Sequence, residues 1–198
     1  CKNLPLDRLT KLKDASFISM PEIALDLSNN TNLQTLYCKR ITATPLNLEG
    51  LTQLKDFSAS HCKFEALDIS TNTNLEEICI IQSGLTELNV SNNKNLKKIY
   101  LVSMQLTSLD IRGLSKLETL SLSSNPFKKL TPSTLKASGN DNLKTLDFMF
   151  ANKCSELDVS HIPSLEEVII RNNAIKKIKM EKNVSLLAMS NSKRITVL

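Results

Sequence analysis

The chain has 198 residues and is 41% apolar but only 4% aromatic, with no Trp, so its core must be built from Leu and Ile. Its 4 Gly offer no phosphate cradle of GxxxxGKS/T or GxGxxG type, and no stretch approaches the ~18 unbroken apolar residues of a membrane span. The formal charge of +5 is scattered among 25 basic and 20 acidic residues rather than gathered in a stripe, which argues against a nucleic-acid partner.

Taken from its start, the chain falls at once into a repeating pattern. Leu4, Leu6 and Leu9 stand ahead of Leu12 as Leu46, Leu48 and Leu51 stand ahead of Leu54. Leucine then returns at 12, 33, 54, 75, 96 and 117, each 21 residues apart, and again at 143, 165 and 186 after steps of 26, 22 and 21. Self-similarity at such a period is the signature of a solenoid. Counting that leucine as slot zero, the unit Leu75–Asn95 carries apolar residues at Leu75, Ile78, Ile80, Leu85, Leu88 and Val90. The next unit repeats them at Leu96, Ile99, Leu101, Leu106, Leu109 and Ile111.

Slots three and five share a parity, as do slots thirteen and fifteen, so each unit predicts two short extended segments with inward apolar residues. One unit cannot bury its own leucines. Stacked at about 4.8 Å per turn, neighbouring units enclose a continuous core and form a parallel sheet along one side. The unit Leu117–Leu143 is longer, and its TPSTLKASG phrase predicts one or two helical turns on the outer side, with Thr131 as N-cap and Gly139 as stop. At the ends, Cys1 falls in mid-unit, and the tail from Leu186 through Met189 to Leu198 begins another unit. Residues 1–198 are therefore expected to form a single domain of about eight to nine repeats, a segment of a longer array.

The phrases LETLSLSSNPF at 117–127 and LEEVIIRNNAI at 165–175 resemble the LxxLxLxxNxL motif of the leucine-rich-repeat family. LDLSNNTNL at 25–33 followed by Leu33–Cys38 is similar to the 21-residue subclass of bacterial surface and secreted proteins. The resemblance implies a right-handed leucine-rich-repeat solenoid, mostly β with a parallel sheet and little helix, placed at the cell surface or secreted. The family Asn of slot eight is kept only at Asn125 and Asn173. Met20, Ile41, Cys62, Ser83, Met104 and Ala151 stand there otherwise, which implies an incomplete Asn ladder. Ser28, Ser70, Ser91 and Ser160, with Asn30, Asn72 and Asn93, point to side-chain-capped turns, and Leu51 and Leu114 fill the Asn space in two units.

No catalytic constellation emerges, and no cofactor or metal site. Five cysteines at 1, 38, 62, 79 and 154 show no CxxC pair. Cys38 and Cys62 read as structural thiols, whereas Cys79 points outward. Cys1 lacks a polar tether before the first repeat, against a lipid-bearing terminus. His61 and His161 are 100 residues apart and read as surface residues. The column Asp26, Asp68, Asp110 and Asp158, with Asn47 and Asn89, faces outward and reads as backbone-bonding rather than calcium-binding. The Asn-x-Ser/Thr triplets starting at Asn29, Asn89 and Asn183 follow from the repeat itself.

What remains is a surface. The outward slots of the first segment gather Cys79, Ile81, Tyr100 and Val102 in one cluster and Met149, Phe150 and Ile169 in another, with Tyr37 and Lys39 as a third candidate. The expected function is a non-enzymatic recognition module for a protein partner or a surface polysaccharide. The alternatives are a structural or self-associating scaffold and the recognition region of a larger enzyme.

Overall fold

A computed structural model describes residues 4–20, 23, 25–42, 46–187, 196 and 197. Cys1, Met189 and Leu198 lie outside the described residues. A 3-10 turn at Leu6–Arg8 is followed in chain order by β1 (Asp14–Ile18), β2 (Thr35–Lys39), β3 (Asp56–Ser60), β4 (Glu77–Ile81), β5 (Lys98–Val102), β6 (Leu109–Asp110) and β7 (Thr119–Ser121). Then come β8 (Leu135–Lys136), β9 (Thr145–Asp147), β10 (Glu156–Asp158), β11 (Glu167–Ile169), β12 (Lys177–Lys179), β13 (Ser185–Leu187) and β14 (Thr196–Val197). Among the described residues no other helix is present.

The leucine spacing becomes a parallel ladder. One nine-stranded sheet runs β1-β2-β3-β4-β5-β7-β9-β11-β13. Its register never slips: Leu36 pairs with Phe57, Phe57 with Ile78, Ile78 with Ile99, Ile99 with Leu120, Leu120 with Leu146 and Leu146 with Val168. The long unit therefore loops out its extra residues without shifting the strands on either side. A one-residue slip would turn every inward side chain to water, and full burial of a Leu or Ile is worth about 1.5–3 kcal/mol. Leu33, Leu54, Leu75, Leu96, Leu117 and Leu143 are all fully buried.

Each strand of the long sheet up to β11 ends in the same unusual backbone. Ser19, Arg40, His61, Gln82, Ser103, Ser124, Phe150 and Asn172 all adopt φ between +52° and +59°. A left-handed residue other than Gly costs about 1–2 kcal/mol. The turn is nonetheless held, because most of these N–H groups extend the ladder to the next unit: Arg40 donates to the Ser60 oxygen at 2.9 Å and His61 to the Ile81 oxygen at 2.8 Å. The following residue, in slot eight, then points into the core. Asn125 there donates to the oxygens of Leu101 and Leu122 at 2.7 and 2.9 Å. Cys62 fills the same slot and directs its thiol at the oxygens of Cys38 and Ser60, 3.6 and 3.5 Å away.

A second, deeper ladder runs through Asn30, Asn72, Asn93 and Asn140, all buried. Each donates to main-chain oxygens of the preceding unit, as Asn72 does to Leu48 and Leu51 at 2.9 and 3.0 Å. Leu51 and Leu114 take this place in two units and are fully buried, as the sequence implied. The column of outward Asp and Asn residues closes the adjacent turn: the N–H groups of Ser28, Glu49, Ser70, Ser91, Arg112 and Ser160 donate to Asp26, Asn47, Asp68, Asn89, Asp110 and Asp158.

Two expectations need correction. The phrase TPSTLKASG is not helical. Leu135 N–H donates to the Thr131 oxygen at 2.9 Å, closing a single turn, and the chain then enters β8 beside β6. Thr131 caps nothing; its own N–H donates to Thr134 Oγ1. The extended geometry of β8 wins because Leu135 is fully buried in register with Leu109. The second extended segment forms strands only from β6 onward, in the pair β6-β8 and the sheet β10-β12-β14. In earlier units the segments around Leu67 and Leu88 carry no strand; there the Asx turns and the Asn ladder hold the chain.

Candidate recognition face

Strand parity turns alternate side chains of the long sheet away from the core. Along β4 and β5 the inward residues Ile78, Ile80, Ile99 and Leu101 are fully buried, and the intervening Cys79, Ile81, Tyr100 and Val102 are partly exposed. Register sets Cys79 beside Tyr100 and Ile81 beside Val102. The first sequence cluster is thus one contiguous patch. Burial pushes both the Tyr100 hydroxyl and the Cys79 thiol above their ordinary pKa values, so both are neutral at physiological pH.

Tyr37 and Lys39 share this outward face, with Tyr37 beside Ser58 and Lys39 beside Ser60. The row at the start of the strands is charged. Asp56 sits beside Glu77, and Glu77 beside Lys98, whose ammonium lies 3.2 Å from the Glu77 carboxylate. Partial desolvation first, and the Glu77 charge second, raise the Asp56 pKa.

Toward the far end the face changes character. Ser121 and Ser123 occupy outward slots but are only 2% and 4% exposed. Their hydroxyls donate to the two oxygens of Asp147 at 3.1 and 2.9 Å, and Met149 N–H donates to Ser123 Oγ. This closed polar clasp lies between the first patch and Met149, Phe150 and Ile169. It was not legible from slot parity, because two small residues beside a carboxylate are covered by their neighbours. Ile169 stands in register with Asp147 rather than with Met149, and Phe150, at φ +56°, is 47% exposed.

The remaining chemistry-bearing residues do not converge. His61 is exposed, with Nδ1 2.7 Å from Ser60 Oγ. His161 is more buried than a surface residue, and its Nε2 lies 3.0 Å from the Leu135 oxygen. Cys38, Cys62 and Cys154 are buried free thiols. Among the described residues no group of three or more His, Cys, Asp or Glu is placed to hold a metal ion. On the side away from the long sheet, an open groove of about 930 Å³ runs past Glu65, Asp68, Glu87, Asn89 and Asp110. Its one cation, Arg112, is held by Asp110 at 2.6 Å.

Residues 116–138 match the family model described as Leucine Rich Repeat. The chain is similar in structure to the functional domain of InlJ from Listeria monocytogenes, described as including a cysteine ladder, at 22% identity and a TM-score of 0.79. That likeness covers 98% of this chain and 42% of the InlJ chain. Internalin C2 of Listeria monocytogenes is 21% identical with a TM-score of 0.71, covering 92% of this chain and 83% of that one. A leucine-rich-repeat protein of Leptospira interrogans is 19% identical with a TM-score of 0.63, covering 96% and 58%. No curated protein matches the chain. The fold is a leucine-rich-repeat solenoid, mostly β, with a parallel sheet and little helix.

Proposed function

We propose that this chain is a non-catalytic recognition module that presents the outward face of its long sheet to a protein partner. The observation that carries this reading is the register of β4 with β5. It sets four apolar or aromatic side chains, Cys79, Ile81, Tyr100 and Val102, side by side on a face whose backbone is fixed on both edges by further strands. Aromatic and aliphatic anchors on a rigid support lower the ordering cost of association. A role as a plain spacer gives no reason for such groups to face water.

The named Listeria and Leptospira structures support a place at the cell surface or in the secreted fraction, as part of a longer repeat array. No helix among the described residues is long and apolar enough to cross a membrane. Lys39, Met149, Phe150, Ile169 and Tyr37 are proposed as flanking contacts, with the clasp of Ser121, Ser123 and Asp147 separating the two apolar areas.

The test is a screen of the chain against an array of extracellular protein domains and, in parallel, a glycan array. A protein hit that Ile81→Ser with Tyr100→Ser abolishes, while the circular-dichroism unfolding midpoint stays put, supports the reading. Hits indifferent to both substitutions, or hits on glycans alone, contradict it.

A further inference from the structure

We propose that the face between Tyr37 and Tyr100 is a trough for one helix of the protein partner, lying along the strands with its N-terminal end over Asp56 and Glu77. This rests on the reading of the strand face above. Tyr37 pairs with Ser58, Ser58 with Cys79, and Cys79 with Tyr100, so the two tyrosines occupy one row across four strands. Three inter-strand steps of about 4.8 Å set their backbones about 14 Å apart. Only the small side chains of Ser58 and Cys79 stand between them in that row. An α-helix with its side chains is about 10–12 Å across, which fills the space from wall to wall. A single extended strand, about 5 Å wide in the sheet direction, touches only one wall.

Length and charge agree with the same occupant. The five-residue strands β2 to β5 span about 17 Å, the rise of about eleven helical residues. At the start of the strands, Asp56 makes none of the ion pairs found among the described residues and lies beside Glu77. At the opposite end, Lys39 and the exposed Arg40 also make none of them. Glu77 is paired with Lys98, so the negative end of the trough rests on Asp56, while Lys39 and Arg40 make the end where the strands finish positive. A helix dipole, positive at its N-terminus, complements that field in one direction only. Ile81 and Val102 give the helix its apolar contact.

The experiment selects binders of the full chain from two display libraries of equal composition, one presented on a helical scaffold and one in an extended loop. The helical library is expected to yield binders whose Kd rises at least about ten-fold with Tyr37→Ser and, separately, with Tyr100→Ser. Lys39→Gln is expected to raise it about three-fold, and Glu87→Gln, in the groove on the other side, less than about two-fold. Tyr100→Leu, which keeps apolar cover over its strand, replaces Tyr100→Ser if the unfolding midpoint falls. Enrichment from the extended library alone, with Tyr100 dependence kept, overturns the helix but leaves the strand-face reading standing. Dependence on Tyr100 without Tyr37 overturns the trough. Indifference to Tyr37, Tyr100 and Ile81 together overturns both.

Discussion

Asn93 donates from its side-chain amide to the main-chain oxygen of Asn72, 2.9 Å away and one unit back, and both residues are fully buried. The same amide also reaches the Ile69 oxygen at 2.9 Å. One side chain thereby ties together three successive points of the inner turn. The two carbonyls keep the backbone N–H groups of Asn72 and Leu75, so its loss removes one of two hydrogen bonds from each, at about 0.5–1.5 kcal/mol apiece.

Asn93→Ala is therefore expected to destabilise the chain by about 2–3 kcal/mol, from the lost hydrogen bonds and the space left behind. Asn93→Leu is expected to cost less than half as much, because Leu51 and Leu114 already fill the corresponding place fully buried. Urea unfolding followed by circular dichroism separates the two. Equal losses would mean that the ladder acts through its hydrogen bonds alone and that filling the space contributes nothing, contrary to this expectation.

The inner leucines were legible in the sequence because a 21-residue spacing repeats one geometry, and Leu75, Ile78 and Ile80 can all be buried at once in only one register. The outward positions of Tyr100 and Val102 followed from the same parity. The left-handed residue at each strand end was not legible. Ser19, Arg40, Gln82 and Phe150 share no property that announces positive φ, and the conformation is imposed by the next unit's carbonyl. The burial of Ser121 and Ser123 was hidden because it depends on Asp147, which lies across the long unit. Thr131, Pro132 and Gly139 carry helix-end signals, but pairing of Leu135 with Leu109 across units outweighs local propensity.

Phe150 is a bulky member of the left-handed series: its N–H donates to the Arg171 oxygen like its counterparts, but its exposed ring makes no side-chain hydrogen bond to offset the strain. Phe150→Asn is expected to raise stability by about 0.5–1 kcal/mol in the free chain, measured by the same urea titration. A loss of stability would show that the ring is held by packing rather than kept against strain.

Asp110 is held down to about 2, chiefly by its hydrogen bonds from the Arg112 side chain. Its ordinary value is 3.8. A carboxyl depressed on folding contributes stability that is present above pH 3.8 and lost as pH falls toward about 2. The pair is solvent-exposed, so the effect on global stability is small. A carboxyl NMR titration is expected to show the low midpoint for Asp110 and its rise toward the ordinary value in Arg112→Gln.

Burial, with the nearby Cys62 second, pushes the Cys38 thiol from 9.0 up to about 12. Iodoacetamide at pH 8 is expected to modify the half-buried Cys79 slowly and Cys38 only after unfolding, read by mass spectrometry of the peptides. Because the folded pKa is raised, the thiol's contribution to stability is complete below pH 9.0 and declines as pH rises through about 12. Rapid native modification of Cys38 would contradict its placement in the core.

The most direct test of strand-face recognition compares partner affinity for two folded variants on opposite sides of the solenoid. Tyr100→Ser alters the outward face of β5, and Glu87→Gln alters the groove on the other side. With surface plasmon resonance against a partner found on the extracellular-domain array, Tyr100→Ser is expected to raise Kd at least about ten-fold and Glu87→Gln to leave it within about two-fold. An unchanged Kd for Tyr100→Ser together with a large rise for Glu87→Gln would place recognition on the wrong side of the molecule for this mechanism.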